Sequence, residues 1–244
     1  MTRAAAGLLL IAFALAACRP ERAPAGAAET GPAFPGIDRP VADIVSPEFA
    51  SAAERDRADE AGQVVRLAGI GPGQVVADIG AGSGYHTTRL SRVVGPEGLV
   101  IAVDVVPEYL AALRDTVRRQ GLENVEFVQG RPDDPRLPRN SIDTAVLAHM
   151  YHEVGQPYAF LWNLAPSVRA GGKVVVLDVE RPIRNHGMPP EVMRCEFEAV
   201  GYRRVALHQL QGEVGYMAVF EPPAELPEPS QIRSCRTGES ALAR

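Results

Sequence analysis

Two short stretches of this chain have residue types and spacing suited to chemistry. The first, Asp78-Ile79-Gly80-Ala81-Gly82-Ser83-Gly84, is an acid followed by glycines at every second position. Glycines so placed let backbone pass close to a ligand and turn where other residues cannot. The second, His149-Met150-Tyr151-His152-Glu153, is the densest run of titratable and hydrogen-bonding side chains in the sequence. Those residues could contact a substrate or cofactor, take a proton from a nucleophile, hold a metal, or cap a helix. No further ligand stands at a recognisable metal spacing, so no metal is expected.

Both stretches need elements to position them. Val75–Ile79 is a β-branched run of the kind that forms a buried strand, and it stops where the glycines begin. Beyond them, Leu90, Val93 and Val94 fall at helical spacing, so the glycine loop delivers a ligand to a helix N-terminus. Residues 98–104 read as a second strand, ending in Asp104 twenty positions after Gly84. An acid at such a place can accept both hydroxyls of a ribose. The third segment, 125–138, is again a strand that runs into a polar loop, with Gly130-Arg131-Pro132-Asp133-Asp134 within it. The fourth, 143–148, empties directly into the histidine run. Ligands of open α/β sheets bind outside the carboxyl ends of the strands, so that run belongs to a site by position. A helix over 156–168 ended by Gly171-Gly172, a strand over 173–180 and a helix from Pro190 to Gly201 follow. Two closing strands, 202–210 and 216–220, bring the total to seven.

The glycine spacing separates two cofactor classes. A dinucleotide loop wants G-x-G-x-x-G, whereas here position 85 is Tyr and the third glycine comes one residue early. Acid, one residue, then G-x-G-x-G resembles the first motif of the class I S-adenosylmethionine (SAM) dependent methyltransferases, matched without gaps by Asp78, Gly80, Gly82 and Gly84. The resemblance covers roughly residues 50–221. It implies an α/β, Rossmann-like fold with a seven-stranded, mostly parallel sheet, helices on both faces and an antiparallel last strand. SAM is the implied cofactor, with Asp104 at its ribose and Asp78 near its methionine amino end. On the adenine side, many members place an acid and then a backbone amide where this chain has Arg131 and Pro132, and Pro has no N–H. Asp133 or Asp134 could face the exocyclic amine instead, or both could simply form a turn. The resemblance also implies a helix within 50–68 that partly covers the cofactor, and an acceptor lid over 181–190 with His186 and Met188 as lining candidates. Methyl transfer is an in-line displacement that needs alignment, and a base only if the nucleophile carries a proton. His149, His152 and Glu153 are therefore the catalytic candidates.

Composition limits the partners. The 244 residues carry a net charge of -5 with no Lys/Arg cluster, which argues against a nucleic-acid substrate and favours a small-molecule acceptor. At the N-terminus, Arg3 precedes an apolar run too short for a bilayer span, which ends in Leu15-Ala16-Ala17-Cys18. That resembles a bacterial lipoprotein signal in which Cys18 bears the lipid. The expected organisation is a signal over 1–18, a flexible Pro/Ala/Gly tether over 19–47, the domain over 48–221 and a disordered tail over 222–244. The protein would then face the periplasm on a lipid anchor, away from the compartment that makes SAM. That conflict keeps a second class open, an inactive module of the same fold that binds a nucleoside-like or other small ligand. Cys195, in a helix, and Cys235, in the tail, could pair in an oxidising compartment, although their spacing does not indicate it.

Overall fold

A computed structural model of the chain describes residues 33–44 and 51–236. The leader, Cys18 and most of the tether lie outside the described residues. A seven-stranded sheet runs in the order β3-β2-β1-β4-β5-β7-β6. Its strands are β1 (Val75–Ile79), β2 (Leu99–Asp104), β3 (Val125–Gln129), β4 (Ile142–Ala148), β5 (Val168–Asp178), β6 (Arg203–Gln209) and β7 (Tyr216–Glu221). The pairings from β3 to β5 are parallel, and β7 slots antiparallel between β5 and β6. The helices are α1 (Ala52–Arg57), α2 (Glu60–Ala68), α3 (Tyr85–Val94), α4 (Pro107–Arg119), α5 (Pro157–Leu164) and α6 (Pro190–Ala199).

The central strands are apolar on both faces because both are covered. Ala77, Ile79 and Leu147 pack with α5 and α6 side chains such as Leu161 and Phe197, while Val76, Val100 and Val146 pack with Val64, Leu90 and Val94 of α2 and α3. From β1 the chain winds outward through β2 and β3 and then returns to β4 on the other side. That reversal splays the loops after β1 and β4 apart and opens a crevice at their carboxyl ends.

Several expected elements end elsewhere, each for a local reason. The helix expected over 156–168 stops at Leu164, because Pro166 has no N–H to continue it, and residues 165–167 tighten into a single 3-10 turn. Val168 already pairs with Ile142, so β5 starts five residues early, with a register break against Ile142 and Thr144. Gly171 and Gly172 sit in that break and end no helix. A Cβ on Gly172 would lie 2.7 Å from the Asp143 carbonyl oxygen, an approach only glycine permits. The 50–68 segment forms two helices, α1 and α2, with Asp59 between them in the left-handed region at φ 52°.

The ends of the domain were placed too far inward by composition. Residues 33–44, expected within a flexible tether, lie against the core. Arg39 is buried, with Nε donating to Glu196 Oε1 at 2.6 Å and Nη2 to the Val154 carbonyl at 3.1 Å, and the Ala42 N–H donates to the His152 carbonyl at 3.1 Å. Residues 222–236, expected to be disordered, pack as well. Trp162 Nε1 donates to the Pro227 carbonyl at 3.0 Å, Ile232 is buried, and Cys235 forms a disulfide with Cys195 of α6. Single anchors such as Phe34, Arg39 and Ile232 hold these stretches, and single anchors have no period to read.

Candidate active site

The crevice encloses about 1150 Å³ including its open mouth. Its wall on one side is the loop after β1. The N–H groups of Gly80 and Ala81 donate to the Val103 carbonyl at 2.8 and 3.0 Å, which locks the loop onto β2. Gly80 sits at φ 73°, and a Cβ there would come within 2.7 Å of Met150 Cγ. Gly84, at φ 85°, starts α3, and a Cβ would strike Leu113 of α4 at 2.0 Å. Gly80 and Gly82 line the crevice, whereas Gly84 sets how closely the loop settles on α4.

Asp104 stands at the crevice edge and is nearly buried. Its Oδ2 accepts from the Gly82 N–H at 2.8 Å and its Oδ1 from the Val106 N–H at 2.9 Å. A carboxylate has about four lone-pair sites, so two remain for a ligand's hydroxyls. Asp78 does not line the crevice. It lies behind the loop, fully buried, with Oδ2 accepting from the Thr87 hydroxyl at 2.5 Å. Burial raises its pKa against the lowering effects of His86, Thr87 and Arg55.

On the adenine side, Gly130, Arg131 and Pro132 line the crevice, and neither Asp133 nor Asp134 does. Asp134 Oδ1 accepts from the Arg136 N–H at 2.7 Å, and its backbone pairs with Arg131, the bonding of a closed turn. The Asp133 carbonyl accepts from Asn163 Nδ2 at 2.8 Å.

The opposite lip is the histidine run. His149 is held in the left-handed region at φ 56° by its N–H bond to the Leu177 carbonyl, 2.9 Å. Its Nε2 lies 3.5 Å from Glu60 Oε2. Glu60, one of the acids in the charged stretch of α1 and α2, is buried, and also meets His86 Nε2 at 3.0 Å and Arg55 Nη2 at 2.5 Å. His152 Nδ1 meets Asp178 Oδ2 at 2.9 Å, with both side chains buried. As acceptor, the carboxylate takes the Nδ1 hydrogen and leaves Nε2 for other work. His149, His152 and Glu153 all line the crevice, together with His186 from beyond β5. Met188 is fully buried in the core and does not line it. Glu60 and Asp178 were not identified as site residues from sequence. For Asp178 the available signal was an acid at a strand end; for Glu60 there was none, because a charged helix start reads as a solvated face.

These contacts make stability depend on pH. Burial pushes the Glu60 carboxyl up, but hydrogen bonds from His149, His86 and Arg55 outweigh it and hold it well below its ordinary 4.5. Burial lowers the His86 imidazole below its ordinary 6.5 by more than the Glu60 bond raises it. Both shifts are depressions, so the folded state binds fewer protons than the unfolded one below each ordinary value. The stability they give is whole above about pH 6.5 and is lost as pH falls through the folded values. Melting temperature should therefore drop between about pH 7 and about pH 4, with a shallower slope for His86→Gln. A profile of equal slope in the two proteins would remove His86 from the account.

Comparison with known proteins agrees with this geometry. Residues 76–172 match the methyltransferase domain family model. The ubiquinone/menaquinone biosynthesis C-methyltransferase UbiE of Vibrio cholerae is 32% identical over 120 residues, 49% of this chain and 46% of that protein. The chain thus spans about half the length of the curated relatives it matches. Among solved structures, a SAM dependent methyltransferase from Aquifex aeolicus superposes with a TM-score of 0.60 at 22% identity, over 70% of this chain and 97% of that one. A possible exported protein from Bordetella parapertussis gives a TM-score of 0.56 at 13% identity, over 70% and 68%. Residues 76–172 are therefore similar to methyltransferase domains, on a Rossmann-like fold shared with solved SAM-dependent methyltransferases.

Proposed function

We propose that this protein transfers a methyl group from SAM to a small-molecule acceptor at the cell envelope, held there by a lipid on Cys18 and facing the periplasm. The observation that carries the reading is the tie between Gly82 and Asp104, which fixes the glycine loop against a strand-end carboxylate across from His149, His152 and Glu153. Bound SAM would supply the methyl on a sulfonium. Gly80 and Gly82 would admit it close to backbone, Asp104 would accept from its ribose hydroxyls, and Gly84 and Asp78 would support the loop from behind. The acceptor would enter along the opposite lip, where Met150, Val154 and Phe160 add apolar surface. His152, whose Nδ1 meets Asp178, or His149, whose Nε2 faces Glu60, would receive a proton from an acceptor that carries one. The Vibrio relative, a C-methyltransferase of ubiquinone/menaquinone biosynthesis, fits an acceptor of small, partly apolar character.

Three observations support the envelope. The leader resembles the lipoprotein pattern, the bond between Cys195 and Cys235 belongs to oxidising compartments, and the Bordetella protein of the same fold is described as a possible exported protein. A second reading, a binding module without chemistry, is favoured by Arg131 and Pro132 on the adenine side, where proline offers no N–H. Calorimetric titration of the purified full chain separates the readings. SAM is expected to bind with a dissociation constant on the order of micromolar, about -8 kcal/mol, and NAD not at all. Release of S-adenosylhomocysteine with an acceptor panel would establish transfer. Binding of adenosine as tight as that of SAM, without product, would favour the module, and absence of SAM binding would end the methyltransferase reading and leave the module in front.

A further inference from the structure

His152, Glu153 and His186 come from separate segments, the turn after β4 and the loop after β5, yet one ligand atom from each lies within 4.8 Å of the others. From that convergence we propose a site for one divalent transition-metal ion, of which zinc is the first candidate, on the acceptor side of the crevice. Two imidazoles and one carboxylate suit zinc or iron(II), whereas calcium and magnesium favour all-oxygen sets.

Two features beyond the cluster itself point to an ion. The first is Asp178, buried at the end of β5 with its carboxylate on His152 Nδ1. Metal-bound histidines commonly donate their other ring N–H to such a carboxylate, which fixes the tautomer and turns the free nitrogen to the ion. The second is His186, whose Nδ1 is buried with no hydrogen-bond partner. A buried ring nitrogen without a partner is costly, and a metal would satisfy it.

The backbone holds His186 in place for this role. Its φ is 55°, in the left-handed region, and its carbonyl accepts from Arg181 Nε and Nη2 at 3.1 and 3.0 Å. The ring stands edge-on to that of His152, with centroids 5.6 Å apart. Three protein ligands leave a position open, as catalytic zinc sites do. All three residues line the crevice, so an oxygen of the acceptor could enter the coordination sphere there. The expectation of no metal rested on local spacing, which could not bring His186 beside His152.

The test uses no SAM, so it stands or falls apart from methyl transfer. Full chain stripped with a chelator is titrated with zinc and, separately, with cobalt(II), whose visible absorption reports ligand geometry. One zinc per chain is expected, with His186→Ala and Glu153→Gln each weakening it by at least about 10-fold and Asp178→Asn by about 10- to 100-fold. Circular dichroism establishes that each variant is folded. Should His186→Ala fail to fold, Glu153→Gln decides. Absence of stoichiometric zinc in the unsubstituted chain, or affinity within about two-fold of it in the folded variants, overturns the site.

Discussion

Replacing Asp104 with alanine is expected to weaken SAM binding by about 100-fold or more. Two ribose hydroxyls would lose a charged acceptor, at about 1.5 to 3 kcal/mol per bond, and 3 kcal/mol is already more than 100-fold. The structure adds a second loss. Asp104 also accepts from the N–H groups of Gly82 and Val106, so alanine frees the glycine loop that forms the wall of the crevice. Asp104→Asn distinguishes the two roles, since its amide oxygen can keep one backbone bond but brings no charge. A titration in which alanine binds SAM as tightly as the unsubstituted protein would remove Asp104 from the cofactor site. Equal affinity in asparagine and unsubstituted protein, with loss in alanine, would assign Asp104 to the loop alone.

Opening the disulfide between Cys195 and Cys235 is the second large effect. The bridge closes a loop of 40 residues, worth roughly 3 to 4 kcal/mol on chain-entropy grounds. For a domain of this size that corresponds to a fall in melting temperature of roughly 10 °C. The measurement is a thermal melt of the Cys195→Ala/Cys235→Ala double variant, and of the unsubstituted protein with and without reductant. The local consequence should precede the global one, because the bridge acts directly on 222–236, alongside contacts such as the Trp162 bond to Pro227, burial of Ile232 and the Cys235 N–H bond to Tyr158 Oη at 2.7 Å. Limited proteolysis should cut this stretch first. Melting that reductant leaves unchanged would show that the bridge contributes nothing to stability.

What the sequence made legible is what repeats locally. β1 to β4 were readable as β-branched runs, and the loop after β1 from its glycines, because alternation and turn chemistry act over a few residues. Contacts that join distant positions left no such trace. Glu60 lies 26 residues from His86, and nothing in its neighbourhood distinguishes a buried acid from a solvated one. His186 was a lining candidate only through family resemblance, and its approach to His152 depends on how the chain after β5 folds back. Asp133 and Asp134 show the reverse case. The resemblance left a ligand contact and a turn equally open, and the bond from the Arg136 N–H to Asp134 belongs to the turn.

The segment 33–44 alters what counts as the smallest complete unit of this protein. Drawn from the alignment of motifs alone, the domain would begin near residue 48, and a fragment cut there would look intact on paper. It would lack Arg39, leaving Glu196 a buried carboxylate with only the Tyr151 hydroxyl at 2.9 Å for company, and breaking such a pair costs about 3 to 5 kcal/mol. It would also lack the partners of the His152 and Val154 carbonyls, on the same turn that carries two of the three catalytic candidates. Seen this way, 33–44 is the outer hem of the active-site turn, and trimming the chain for convenience would unpick the seam that holds the chemistry in place.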